Sequence, residues 1–265
     1  MKKLITLIGL TFLLSTNAYA DVTFINGGFE EGTFNGWTIS ASGGDAAVSF
    51  PGAGVTDYVV ANPYWSTGNH IATIVTPGTD PQVGINRTYN GVSGRVGDER
   101  YWGGYPYQYS QISQQAPVTG TDPGHIYFAW AAVLEISGHA YTDTPYFRVN
   151  LTNNTLGTTI YDVQHYEADA GFWTTVGGWK YSTGNNPSYP GWYVEDIDLT
   201  GLASVGDQLT LDIIARDCIP TGHAMYVYVD GFGYTPPPPP GVPEPSTFLL
   251  LGAGLGGLAL WRRRK

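Results

Sequence analysis

Between Asp21 and Thr235 apolar and polar residues recur with a period of two, and no stretch sustains a 3.6-residue apolar period over three turns. The pattern therefore predicts strands throughout. In DQLTLDIIARD, Leu209, Leu211, Ile213 and Ala215 point one way and Thr210, Asp212 and Arg216 the other, with Ile214 the exception. PYFRVNL sets Phe147, Val149 and Leu151 against Arg148 and Asn150. HAMYVYVD sets Met225, Val227 and Val229 against Tyr226, Tyr228 and Asp230. HIYFAWAAVLE, His125 to Glu135, is more continuously apolar, the mark of a strand in the middle of a sheet. Glycine and proline punctuate these runs every ten residues or so, as hairpin and Greek-key connections require. The GTDP at Gly78 to Pro81 returns at Gly120 to Pro123, but four turn-forming residues do not make a repeat.

The two ends break the pattern. MKKLITLIGLTFLLSTNAYA puts Lys2 and Lys3 before an apolar run, Leu4 to Leu14, and then small residues at Ala18 and Ala20. This is the layout of a secretory signal peptide over residues 1–20, cut before Asp21. At the other end a polyproline linker, residues 236–241, forms a stiff spacer. Phe248 to Trp261 is then apolar, and Arg262, Arg263, Arg264 and Lys265 close the chain. Fourteen residues rising about 1.5 Å each reach roughly two thirds of a ~30 Å hydrocarbon core. With Thr247 included and the arginines snorkelling, a short transmembrane segment over 247–261 is expected, its basic end cytoplasmic and acting as a membrane stop.

Composition narrows the partners. The chain of 265 residues carries a formal charge of −10, and losing both ends removes six of twelve Lys and Arg but only one of 22 Asp and Glu. So acidic a surface repels nucleic acid and anionic lipid and favours neutral partners and divalent cations. Cys218 is the only cysteine, which excludes an internal disulfide framework and leaves a core to hold residues 21–235 together as one domain.

Val242-Pro243-Glu244-Pro245-Ser246-Thr247, the greasy run and the basic terminus resemble, in order, the PEP-CTERM sorting signal of exopolysaccharide-producing Gram-negative bacteria, over 242–265. The resemblance implies that an exosortase-type enzyme reads Pro243, Glu244 and Pro245 in the inner membrane. It also implies a transient anchor, removal of the tail and delivery to the cell surface or biofilm matrix. An ordinary C-terminal anchor is the alternative.

FINGGFEEGTFNGWT, Phe24 to Thr38, is similar to the opening of galactose-binding-like jelly rolls, which include many carbohydrate-binding modules. ARDCIPTGHAMYVYVDGFGY, Ala215 to Tyr234, resembles their closing strands in bacterial surface proteins. The fold implied is all-β, a two-sheet antiparallel jelly-roll β-sandwich with its first and last strands side by side. The resemblance further implies a structural calcium ion held by Glu30 and Asp230. Calcium suits such a place because it takes six to eight oxygens, several of which a Gly-rich turn presents as carbonyls. Glu30 also reads as a solvated turn residue, and Asp230 as the start of an Asp-Gly turn.

Aromatic residues are the candidates for a ligand, because sugars stack flat C–H faces on Trp and Tyr. YWGGYPYQYSQ, Tyr101 to Gln111, offers Trp102, Tyr105 and Tyr107 in a stretch too broken for a buried strand. Phe172, Trp173, Trp179 and Tyr181 surround a second double glycine. The competing reading puts these rings in the core or under loops, as is expected for Trp37 and Trp192. For hydrolysis, Glu135 is the one acid embedded in a long apolar run, and it reads as easily as a strand end. Neither a Gly-x-Ser-x-Gly elbow nor a His-Glu-x-x-His helix is present. Asp217, Cys218 and His223 offer a transition-metal or thiol alternative. The sequence thus reads as an exported, non-enzymatic envelope or matrix protein that contacts polysaccharide; a glycan-active hydrolase and a ligand-free structural component are the alternatives.

Overall fold

A computed structural model of the chain describes residues 21–22, 24–43, 46–62, 65–98, 109–119, 124–218, 222–233 and 236–237. The alternation read from the sequence becomes fifteen strands among these residues. They are β1 (Asp21–Val22), β2 (Thr38–Gly43), β3 (Ala46–Pro51), β4 (Asp57–Asn62), β5 (Trp65–Val75), β6 (Ser93–Gly97), β7 (Tyr109–Thr119) and β8 (His125–Glu135). After a single 3-10 turn, Tyr141–Asp143, follow β9 (Tyr146–Asn153), β10 (Thr158–Tyr166), β11 (Trp173–Val176), β12 (Trp179–Ser182), β13 (Tyr193–Asp198), β14 (Gln208–Arg216) and β15 (Met225–Gly233). No helix among the described residues is long and apolar enough to cross a membrane. The signal peptide, Pro243 to Pro245, the span expected over 247–261 and the basic terminus lie outside the described residues.

Every strand pair is antiparallel, and the strands form two sheets. Sheet one runs β10-β9-β14-β7-β2-β3, with β1 on β7; sheet two runs β11-β12-β8-β15-β6-β5-β4, with β13 on β8. Taken in chain order, β6, β7, β8, β9, β10, β13, β14 and β15 alternate between the sheets until β10 and β13 close the two edges. The first, eighth, third and sixth of them make β6-β15-β8-β13, and the second, seventh, fourth and fifth make β7-β14-β9-β10. That order is the double Greek key of a jelly roll. β2 to β5 widen both sheets at one edge, and the β11–β12 hairpin, turning at Gly177 and Gly178, extends the edge of β8 beyond β13.

The predicted inward rows meet between the sheets. Leu209, Leu211, Ile213 and Ala215 of β14 and Phe147, Val149 and Leu151 of β9 pack with Phe128, Trp130, Val227 and Val229 of sheet two, all buried. Each buried Leu, Ile, Val or Phe side chain among them contributes about 1.5–3 kcal/mol relative to exposure. β8 and β15 depart from simple alternation: Tyr226 and Tyr228, expected on a polar face, are buried with Ala129, Ala131, Val133 and Trp192 in a second cluster. The cause is a cover over the outer face of sheet two, made by residues 76–92 and 183–192. Asp80 holds it down, its Oδ2 accepting the hydroxyls of Tyr226 at 2.7 Å and Tyr228 at 2.8 Å while Oδ1 accepts the N–H groups of Gln82 and Val83. Trp192 Nε1 donates to the carbonyl of Asn86 at 2.8 Å. The middle of the outer face of sheet two is thereby covered, while His125, Asp196 and Asp57 on that face stay partly exposed; on the outer face of sheet one, among the described residues, Tyr109, Gln111, Tyr146, Arg148, Tyr166 and Arg216 are partly exposed.

The first strand does not lie beside the last, as the resemblance implied. β1 pairs with β7, and it is the turn after β1 that docks on β15. Phe232 N–H donates to Gly27 O at 3.0 Å, and a Cβ on Gly27 would stand 2.1 Å from Phe232 O, so only glycine permits the approach. The buried Gln114 of β7 completes the dock, accepting Ile25 N–H and donating to Ile25 O. Phe24, Phe29, Trp37 and Phe232 form one aromatic nest, with Trp37 and Phe232 centroids 5.0 Å apart.

Candidate functional site

The docked turn is where the first pair of sequence candidates meets. Asn26 (φ 52°) and Phe29 (φ 59°) are the non-glycine residues with positive φ among the described residues, and both lie in it. A bulky side chain adopts that conformation only when its surroundings enforce it, and here the aromatic nest does so. Glu30, exposed, folds back so far that a Cβ on Gly28 would sit 1.9 Å from its Oε1. Asp230 is buried, and its Oδ2 accepts Asn90 N–H and the Ser93 hydroxyl, both at 2.9 Å. Burial, with the negative charge of Glu30 adding to it, pushes the Asp230 carboxyl from 3.8 up to about 8. Glu30 is thus near enough for its charge to act on Asp230, and both residues offer carboxylate oxygens. That set fits a hard cation such as calcium and supplies no soft donor.

The aromatic candidates divide. Trp102, Tyr105 and Tyr107 lie outside the described residues. The end of their stretch, expected to be too broken for a buried strand, is the start of β7, where Tyr109 and Gln111 stand half-buried on the outer face of sheet one and Ser110 points inward. Trp173 and Trp179 sit three register positions apart on the β11–β12 hairpin, since Trp179 pairs with Val176, and so face opposite ways. Trp173 packs against the main core and donates from Nε1 to Tyr166 O at 2.8 Å; Trp179 packs against the second cluster. The structure does not bring those two together in one surface. Trp37 and Trp192 are buried, as expected.

Sequence reasoning placed Arg148, Asn150, Asp212 and Arg216 on a polar face but passed over what that face makes. Register aligns Tyr166, Tyr146, Arg216, Tyr109 and Ser42 in one row across five strands, and Gln164, Arg148, Ile214, Gln111 and Ser40 in the next. The Arg216 guanidinium lies 5.3 Å from the Tyr146 ring centre, and Tyr146 and Tyr166 are 5.4 Å apart. Arg148 donates from Nε and one amino group to the two oxygens of Asp162, each at 2.7 Å, which holds the Asp162 carboxyl below its usual range. Gln111 donates to Asp212 at 2.6 Å and accepts from the Tyr109 hydroxyl. Burial, then the charge of Asp212, pushes Tyr109 up to about 12, so it remains a hydrogen-bond donor at any ordinary pH. Tyr109 and Gln111 line a shallow pocket of about 290 Å³ with Ser40, Ser42 and Ser49. Flat rings beside amide, hydroxyl and guanidinium groups are the complement of a sugar ring and its hydroxyls. The signal available in the sequence was the Tyr, Gln, Asn and Arg content of the outward positions.

The hydrolytic candidate Glu135 and the metal or thiol candidates Asp217, Cys218 and His223 gather at one end of the sandwich. Glu135 ends β8, half-buried, and Oε2 accepts Ala224 N–H at 3.3 Å. Asp217 is buried, and Oδ1 accepts Met225 N–H at 3.0 Å. Burial pushes both carboxyls up, and Asp98 adds to the effect on Asp217. Acid–base hydrolysis needs two such groups pushed apart. Cys218 and His223 are in contact, Sγ to Nδ1 3.0 Å.

Residues 241–265 match the PEP-CTERM protein-sorting motif. The chain is an exported protein with a C-terminal sorting tail. Comparison with curated proteins finds no match. Among solved structures the chain is similar to TmCBM61 in complex with β-1,4-galactotriose, at 11% identity and a TM-score of 0.38 over 79% of this chain and 94% of that one. Caldicellulosiruptor saccharolyticus CBM27-1 in complex with mannohexaose gives 11% identity and 0.35 over 81% and 96%. The enzymatically active domain of bacteriophage CBA120 tailspike protein 4 gives 11% and 0.33 over 80% and 21%. At these scores the jelly roll rests on the strand order of the chain itself.

Proposed function

We propose that this protein is handed by an exosortase-type enzyme from the inner membrane to the cell surface or extracellular matrix, where it holds exopolysaccharide without cleaving it. The observation that carries the binding half is the asymmetry of the sandwich. Loops of the chain cover the middle of the outer face of sheet two, whereas that of sheet one presents Tyr109, Gln111, Tyr146, Arg148, Arg216 and Tyr166 side by side and partly exposed, with the Tyr141 ring 4.6 Å from Tyr166 at one end of the row. In this reading Trp102, Tyr105 and Tyr107, which precede β7 in the chain, also contact the polysaccharide.

In the same reading Glu30 and Asp230 hold a calcium ion that ties the opening turn to the last strand. Its contribution is charge neutralisation in a buried place, and it has no part in ligand chemistry. Affinity electrophoresis of the full chain in gels containing the producing cell's own exopolysaccharide tests the binding claim. Retardation by polysaccharide that the Tyr109→Ala/Tyr146→Ala double variant loses, at unchanged melting temperature, is the expected result. Equal mobility of wild type with and without polysaccharide overturns it.

A further inference from the structure

At the end of the sandwich where the β8–β9 and β14–β15 connections meet, His139, Cys218 and His223 each offer one ligand atom, and these atoms lie within 4.8 Å of one another. We propose that these three residues bind one zinc-class divalent transition-metal ion, which clasps the two connections. The donor set sets the site apart from the calcium place at Glu30 and Asp230: a thiolate and two imidazoles select a borderline or soft ion, which carboxylates and carbonyls do not.

The distances suit such an ion. Zinc–sulfur bonds of about 2.3 Å and zinc–nitrogen bonds of about 2.0–2.1 Å put tetrahedral ligand atoms roughly 3.5 Å apart. The Cys218 Sγ to His223 Nδ1 separation of 3.0 Å and the outer limit of 4.8 Å bracket that value. The loop is braced to keep its ligands in place: Cys218 N–H donates to His223 O, Gly222 N–H to Cys218 O, and His223 N–H to Cys218 Sγ at 3.0 Å. His139 arrives from the other connection, its ring edge-on to that of His223 at 5.1 Å. Two further anchors hold the loop beside the ligands: Asp217, next to Cys218, accepts Met225 N–H, and Glu135 accepts the N–H of Ala224, next to His223.

Two other uses of the cluster fit less well. Disulfide formation within the chain is excluded, because Cys218 is the only cysteine. Attack on a substrate needs an accessible thiolate, and Cys218 is 0% exposed. A plain thiol–imidazole hydrogen bond accounts for His223 but gives no reason for a second imidazole from a distant connection to approach the same sulfur.

The test is titration of the chelator-treated full chain with cobalt(II), a spectroscopic stand-in for zinc. One equivalent per chain with a thiolate-to-cobalt charge-transfer band, bleached by zinc and indifferent to excess calcium, is expected. Cys218→Ser should lose the band, and His139→Gln, a change confined to a half-buried position of the β8–β9 connection, should bind more weakly at unchanged near-ultraviolet circular dichroism. Absence of the band in folded wild type overturns the proposal, as does an unchanged titration in His139→Gln. If Cys218→Ser fails to fold, the His139→Gln arm decides.

Discussion

Removing the negative charge of Asp230 while keeping its shape should stabilise the calcium-free protein, and only where the wild-type carboxyl is forced to ionise. The folded carboxyl titrates at about 8 and the unfolded one near 3.8. Between those values the folded state binds more protons than the unfolded state, so stability falls as pH rises through this window. Below it the group is protonated in both states and contributes nothing. Above it the cost is complete, about four units at 1.36 kcal/mol each, or roughly 5 kcal/mol. Asp230→Asn retains an acceptor for Asn90 and Ser93 and loses about 1 kcal/mol with the bond from Gly231 N–H, leaving a net gain of up to about 4 kcal/mol at pH 8. For a domain of this size that is on the order of 10 °C in melting temperature. The assay is thermal unfolding at pH 4 and pH 8, in chelator and in calcium. Wild type in chelator should melt well below Asp230→Asn at pH 8 and level with it at pH 4. Calcium at about 100 times its dissociation constant should raise wild type by about 2.7 kcal/mol at pH 8, less at pH 4 where it must displace a proton, and leave the variant unmoved. Equal melting of the two proteins in chelator at pH 8 refutes the argument from burial; a wild type indifferent to calcium refutes the metal.

Gly27→Ala should cost more than about 2 kcal/mol in denaturant unfolding, since its Cβ would drive the opening turn off Phe232. Asp80→Ala leaves the Tyr226 and Tyr228 hydroxyls buried without their acceptor and should cost roughly 2–4 kcal/mol by the same measurement. Trp173→Ala and Trp179→Ala should each lower the melting temperature, by about 2–3 kcal/mol in stability, while polysaccharide retardation persists, because each ring is packed into a cluster. Glu135→Gln should leave the size distribution of exopolysaccharide incubated with the protein unchanged from wild type; fragmentation that only wild type produces would instead make the protein a hydrolase.

Much of this fold was legible because alternation is a local signal. The rows of β9 and β14 were complete in the sequence, Ile214 included as the exception, since one of their faces meets a core and the other meets water. Tyr226 and Tyr228 broke the rule through a partner more than a hundred positions away, Asp80, which no window on β15 can contain. The same holds for the site. Glu30 and Asp230 were paired only through resemblance, because the turn that carries Glu30 reaches β15 by docking through Gly27. The open face was hidden differently: Tyr109, Tyr146 and Tyr166 are unremarkable in their own strands and become a row only when register across β7, β14, β9 and β10 lines them up.

Whether the chain is delivered outside through its tail governs every other functional statement, and intact-mass spectrometry of protein recovered from the cell surface and medium addresses it directly. The account predicts a mature chain that begins at Asp21 and ends before Arg262. Protein from the medium that retains Arg262 to Lys265, or a full-length chain confined to the cytosol, would contradict it.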